Sequence, residues 1–115
     1  MHPALELSMP ALPSLAGLVR GLVATAAAPS GLSVDRFQDL LVLSSRLTSE
    51  ITEASDVDAF SLSMATADGT VQLVMVGRGA KSEVSRVSGM AMDRLTDRWW
   101  QVLDERGLEA GFVMS

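Results

Sequence analysis

The sequence predicts an α+β fold, a two-layer sandwich in which three helices cover one face of a mixed, mostly antiparallel sheet of about five strands. An amphipathic stretch from Ser33 to Ser55 carries apolar residues at helical spacing. Two stretches of alternating apolar and polar residues follow, joined by Asp68-Gly69, a dipeptide typical of two-residue hairpin turns. The predicted elements follow in the order β-α-α-β-β-α-β-β, which mixes helices with antiparallel hairpins and therefore favours this sandwich.

The long helix is the element around which the prediction is built. Ser33 is a suitable N-cap, and Asp35 places negative charge in the first turn, where the helix dipole favours it. One face is apolar enough to require burial, and the opposite face is charged. The apolar stripe consists of Phe37, Leu40, Leu41, Ser44, Leu47, Thr48 and Ile51, and the charged face of Arg36, Asp39, Arg46, Glu50 and Glu53.

The other elements follow from periodicity and from breaks at proline and glycine. The stripe of the long helix is expected to pack on the sheet face that carries Phe60, Leu62, Met64, Val71, Leu73 and Met75. In chain order, the predictions are a strand over Ala4–Met9 ended by Pro10, a helix from Pro13 to about Ala27 broken by Pro29-Ser30-Gly31, strands over 60–65 and 71–75, a loop over 77–82, a helix over about Glu83–Arg98, a strand over Trp99–Leu103, a turn over Asp104–Gly107 and a last strand over Leu108–Met114.

Composition excludes several classes of function. The chain has 115 residues, and residues 1–115 are expected to form one domain. The net charge of -5 argues against nucleic acid or an anionic membrane as the main partner. The absence of cysteine excludes thiol catalysis and thiolate metal sites, and the single histidine, His2, excludes a multi-histidine metal site. No apolar run reaches the ~18 residues of a membrane span, and no signal peptide is present, so the protein is expected in the cytoplasm.

Three short motifs resemble the anti-sigma-factor serine kinases of the histidine-kinase-like ATPase superfamily, also called GHKL or Bergerat-fold proteins. The segment from Asp39 to Ile51, DLLVLSSRLTSEI, is similar to the helix of that family that carries its catalytic residues. The segment LVMVGRG is similar to the strand that ends in the family's Asp-x-Gly box, and Met92 to Trp99, MDRLTDRW, is similar to the end of a later helix. The resemblance covers nearly the whole chain from Ala4 and implies a regulator of transcription.

The catalytic residues implied by this resemblance are replaced. Relatives carry a glutamate general base and, four residues on, an asparagine that binds Mg²⁺. The alignment places Arg46 and Glu50 at these two positions, or Ser45 and Ser49 if it slides by one residue, and the chain contains no asparagine at all. Arginine stays protonated and cannot act as a base, although Glu50 retains oxygen ligands suitable for Mg²⁺. The simplest interpretation of Arg46 and Glu50 is an i, i+4 ion pair at the surface.

The nucleotide-binding boxes are altered as well. The position of the adenine-binding aspartate is Gly77, in Gly77-Arg78-Gly79, which offers no side-chain acceptor and is also typical of a turn after a strand. The family's final Gly-x-Thr box is reduced to Gly107-Leu108.

The segment that matches the family's glycine-rich lid, Ala80 to Gly89, contributes only Gly89, and the two lid glycines fall at Arg86 and Ser88. Lys81 and Arg86 carry charges that can attract phosphate, but such residues are also typical of a solvated loop. Glu50, Gly77, Gly79, Lys81, Arg86 and Gly89 are therefore the candidate cofactor-binding residues, with no catalytic residue and no metal site.

These observations lead to a preferred hypothesis and two alternatives. The preferred one is a degenerate anti-sigma-factor kinase-like protein that binds a protein partner, a sigma factor or an anti-sigma antagonist, as a homodimer, without cofactor or ATP turnover. The first alternative is a divergent but active ATP-dependent serine kinase that uses Glu50 with Mg²⁺ and the loop of Lys81 and Arg86. The second is a small scaffold protein of unrelated ancestry.

Of Trp99 and Trp100, one is expected in the core and one at a partner surface.

Overall fold

The structure, a computed structural model, describes all 115 residues and contains one five-stranded sheet in the order β1-β2-β3-β5-β4. All four neighbouring strand pairs are antiparallel, so the sheet is not mixed as predicted, while the predicted fold class and element order are confirmed. The elements are β1 (His2–Pro10), α1 (Leu15–Ala27), a 3₁₀ turn (Ala28–Ser30), α2 (Val34–Glu53), β2 (Ala59–Ala67), β3 (Thr70–Arg78), α3 (Arg86–Leu95), β4 (Arg98–Asp104) and β5 (Gly107–Met114).

Helix α2 lies over the sheet as its apolar stripe requires. Ser33 caps its N-terminus by accepting a hydrogen bond from the backbone N–H of Arg36, at 3.2 Å. The expected core is confirmed, except that Phe37 is only partly buried and Leu43, which the stripe did not include, is fully buried. The buried members from α2 and from the two strands of the first hairpin are Leu40, Leu41, Leu47, Ile51, Phe60, Leu62, Met64, Val71, Leu73 and Met75.

The bounds of α3 differ most from the prediction over Glu83–Arg98. The side chain of Ser85 accepts a hydrogen bond from the N–H of Ser88, so the helix begins at Arg86. It ends at Leu95 because Thr96 adopts an extended backbone and the N–H of Asp97 donates to the carbonyl of Val113, which draws the chain into the sheet. The last two strands then pair as a hairpin along the edge of the sheet.

The end of β1 and the start of α1 also differ from the prediction. Pro10 belongs to β1, where a proline is tolerated because the strand lies at an edge of the sheet. Helix α1 begins two residues after Pro13, at Leu15. The backbone N–H of Gly69, in the β2–β3 turn, donates to the carbonyl of Ser30 at 2.7 Å, which ties the hairpin to the segment between α1 and α2.

One face of the sheet is covered by the helices and the other is open. The open face carries Val74 and Val76 among small and polar side chains, and a hollow of about 400 Å³ lies there against β1, β2 and β3. None of the candidate cofactor-binding residues lines that hollow. The hollow on the open face is therefore not the site that the sequence predicts.

Candidate functional site

A cavity of about 330 Å³ lies where the end of α2, the β3–α3 connection and the start of β5 meet. Glu50 and Ile51 enter it from α2, Lys81 and Ser85 from the connection before α3, and Leu108 from β5. Of the three segments on which the family resemblance rests, only Asp39 to Ile51 contributes residues to this cavity. Of the six candidate residues, the structure brings Glu50 and Lys81 to the cavity.

Glu50 binds the N-terminus of α3. The backbone N–H of Ser85 donates to both of its carboxylate oxygens, at 3.2 and 3.1 Å, and the hydroxyl of Ser88 donates to Oε1 at 3.2 Å. Ser88 is almost fully buried, at 1% exposure, whereas Ser85 is at the surface. Because a helix N-terminus carries partial positive charge, a carboxylate at this point is favourably placed.

Arg46 and Glu50 do not form the expected ion pair, and this prediction was wrong. The Nε–H of Arg46 donates to Oγ of Ser88 at 3.3 Å, and the same hydroxyl donates to Glu50. The only ion pairs of the structure join Arg36 to Asp39 and to Asp97. Arg46 and Glu50 thus both hydrogen-bond to the hydroxyl of Ser88, a buried residue of α3, and do not pair with each other.

Gly77 is buried on the helix-facing side of β3, opposite α2. A Cβ atom placed on it would lie 2.5 Å from Cγ2 of Ile51 and 3.6 Å from both methyl groups of Val57. The first distance is far below van der Waals contact, so a side chain at position 77 requires Ile51 to move. Ile51 thus packs against the position that the family resemblance assigns to the adenine-binding aspartate.

Gly79 makes the turn that follows β3. Its φ of +89° is favourable only for glycine, and its backbone N–H donates to the carbonyl of Arg106 at 2.9 Å. A side chain here would also collide with the carbonyl oxygen of Asp56. Gly79 therefore serves the turn, the structural role considered for it from the sequence, and does not line the cavity.

The remaining candidates lie apart from one another. Lys81 is exposed at the rim of the cavity, while Arg86 is exposed at the first position of α3 and does not line it. Gly89 lies within α3 and faces the ring of Trp99, with the nearest ring carbon 3.6 Å from an added Cβ, so it does not belong to a lid loop. No group of three or more His, Asp or Glu side chains is placed to hold a metal ion.

Sequence reasoning missed Ser85, which supplies a donor to Glu50, and considered Ser88 only as a position of a lost lid glycine. The signal that can find them is the spacing of two serines three residues apart, typical of a helix start with a capping serine. Beginning the predicted helix at Glu83 placed both serines inside it and hid this signal.

Trp99 and Trp100 point to opposite faces of β4. Trp99 packs against the core cluster, and its indole N–H donates to Asp93 at 2.6 Å. Trp100 lies on the open face against Gly111, where an added Cβ would lie 2.7 Å from ring atom Cε2. Its N–H donates to Glu109 at 3.1 Å, and the guanidinium of Arg98 lies 5.5 Å from the ring centre. Trp99 thus lies on the core side of β4, as expected of one of the two, and the expectation that the other meets a partner stays a prediction.

The architecture defines the class: it is the histidine-kinase-like ATPase fold, with a five-stranded antiparallel sheet covered by three helices. The structure is similar to the crystal structure of the RsbU and RsbW domains of Rv1364c from Mycobacterium tuberculosis, with a TM-score of 0.78 and 17% sequence identity. The match covers 99% of this chain and 32% of that chain, so this chain spans about a third of its length. The resemblance stated from the motifs is thus confirmed at the level of fold.

Comparisons by sequence give no further support. No family model matches the chain, and no curated protein sequence matches it. In the structure, no helix combines the length and the hydrophobicity that spanning a membrane requires.

Proposed function

We propose that the protein is a degenerate anti-sigma-factor kinase-like regulator of transcription, which binds a sigma factor or an anti-sigma antagonist without turning over ATP. In this proposal residues 1–115 act as one binding domain, and two copies form a homodimer, as the resemblance implies. The observation that carries the loss of ATP turnover is the contact of Ile51 with Gly77. A site that recognises adenine through a polar group depends heavily on that group, and here neither the group nor the space for it exists.

Two further replacements support the same proposal. Arg46 stands at the position of the general base and stays protonated, so it cannot activate a hydroxyl. Glu50 stands at the position of the metal-binding asparagine, but its carboxylate already accepts hydrogen bonds from Ser85 and Ser88. Base recognition, metal binding and proton transfer thus each lose a different side chain. Restoring one of these side chains would leave the other two functions without theirs.

The test of nucleotide binding is isothermal titration of the protein with millimolar Mg-ATP, with an active kinase of the family as positive control. We expect no saturable heat. A parallel thermal melt is a second readout, because a ligand at 100 times its Kd adds about 2.7 kcal/mol to stability. Saturable one-to-one binding in the micromolar range contradicts the proposal, and phosphorylation of a serine on a co-purified partner establishes the alternative, an active serine kinase.

The test of partner binding uses defined proteins. Each sigma factor and each antagonist encoded by the source genome is purified and mixed with the tagged chain, with and without Mg-ATP. We expect one of them to bind saturably and equally in both conditions. Failure of all of them to bind excludes the regulatory role and leaves the scaffold hypothesis, whereas binding that requires ATP argues for the active kinase.

A further inference from the structure

The N-terminus of α3 is held by a charged group of the chain itself. Glu50, on α2, accepts hydrogen bonds from the backbone N–H of Ser85 and the hydroxyl of Ser88, and the Ser88 hydroxyl in turn accepts one from Arg46. Three side chains and one backbone amide therefore join the two helices at a single point. This network is the main polar connection between α2 and α3.

The chemistry at this point is that of an anion at a helix N-terminus. The exposed N–H groups and the dipole of a helix favour negative charge there, which is why phosphate groups bind at such ends. The carboxylate of Glu50 supplies that charge from within the protein, and Arg46 lies close enough to offset part of it through Ser88. The adjoining cavity of about 330 Å³ also carries Asp56 and Glu83 against the single cation Lys81, a balance that disfavours a second anion.

We propose that Glu50 is a built-in anion that docks α3 onto α2 in the place of an external phosphate group, so that the position of α3 does not depend on a ligand. The inference rests on the proposed function in one respect, that the cavity takes no nucleotide. It adds that Glu50 is an autoinhibitory group toward phosphate, because its carboxylate uses the donors that a phosphate would need.

The experiment is amide hydrogen exchange at Ser85, whose N–H donates to Glu50, measured with and without millimolar inorganic phosphate. In the wild-type protein we expect protection at this amide that phosphate does not change. In Glu50→Ala we expect exchange about tenfold faster, the effect of losing hydrogen bonds to a charged acceptor, and we expect phosphate to restore the protection. Glu53→Gln is the matched control, because Glu53 is on the same helix, is exposed and makes no hydrogen bond, and it should behave as the wild type.

A further variant tests the role of the charge on Glu50. Glu50→Gln keeps the shape of the side chain and an acceptor oxygen but not the charge. It therefore serves as the test if Glu50→Ala does not fold. We expect its exchange rate to lie between the rates of the wild type and the alanine variant. The proposal is overturned if glutamine protects as well as glutamate does, if Glu50→Ala exchanges no faster, if phosphate fails to restore protection, or if phosphate slows exchange in the wild type. A negative result here leaves the Mg-ATP titration and the partner assay unaffected, so the two proposals fail separately.

Discussion

Cγ2 of Ile51 lies only 2.5 Å from where a Cβ of residue 77 would be, so the two positions on α2 and β3 cannot both carry large side chains. Ile51 is 3% exposed, so a side chain added at position 77 would have to displace a buried group. Helix and sheet approach each other closely at this point because residue 77 is glycine. Any side chain introduced at position 77 must therefore displace Ile51.

The first prediction is that Gly77→Ala lowers the free energy of unfolding by about 1–3 kcal/mol, the usual effect of overpacking a core. Ile51→Ala alone should lower it by about 2–5 kcal/mol through the cavity it leaves. Because each change relieves the other, the double variant should lose clearly less than the sum of the two. Urea denaturation of the four proteins measures this coupling, and strict additivity would show that the two residues do not touch.

The second prediction concerns the core under α2. Leu47 is fully buried, and Leu47→Ala should cost about 2–5 kcal/mol of stability. Val42 on the same helix is 48% exposed, so Val42→Ala is the matched control and should change stability by no more than about 0.5 kcal/mol. Thermal and urea unfolding both measure the difference. A loss below about 1 kcal/mol for Leu47→Ala would place that residue outside the core.

The third prediction separates the partners of Ser88. Arg46 is exposed and makes one hydrogen bond of 3.3 Å, so Arg46→Ala should change stability by no more than about 0.5 kcal/mol. Ser88→Ala removes a buried hydroxyl that donates to Glu50 and accepts from Arg46, and it should cost about 0.5–1.5 kcal/mol. Equal effects of the two substitutions would mean that the hydrogen bond from Ser88 to Glu50 adds nothing to stability.

The fourth prediction concerns the open face of the sheet. A Cβ on Gly111 would meet the ring of Trp100, so Gly111→Ala should displace the indole and break its hydrogen bond to Glu109. We expect a red shift of tryptophan emission in Gly111→Ala. The same substitution in a Trp100→Phe background should produce little shift, since the remaining Trp99 lies on the other side of the sheet. An unchanged spectrum in the first variant would show that Trp100 does not rest on Gly111.

The fold could be predicted because its strongest signals are local. The stripe that includes Leu47 and the alternation of the β2–β3 hairpin are read along the chain, and burial of each apolar set leaves few arrangements. The opposite directions of Trp99 and Trp100 follow in the same way from the period of two in a strand.

The candidate site was less predictable because it depends on contacts between distant segments. The period of two places Gly77 on the buried face, but only the packed structure shows that Ile51 fills the space above it. The ion pair of Arg46 with Glu50 was expected from spacing on one helix, yet Ser88 offered both side chains a partner on another helix. Spacing along one helix cannot show such competition, since the competing group lies about 40 residues away in the chain.

The two edges of the sheet differ in the way they meet other polypeptides. Strand β1 has Pro3 and Pro10 near its ends and an irregular register between Pro3 and Leu5, and each proline removes a backbone donor that a further strand would need. Strand β4, at the other edge, contains no proline and carries the exposed side chains of Val102 and Leu103. Association by strand addition, including fibril growth at high protein concentration, should therefore begin at β4, and a proline introduced at an outward-facing amide of this strand should suppress it.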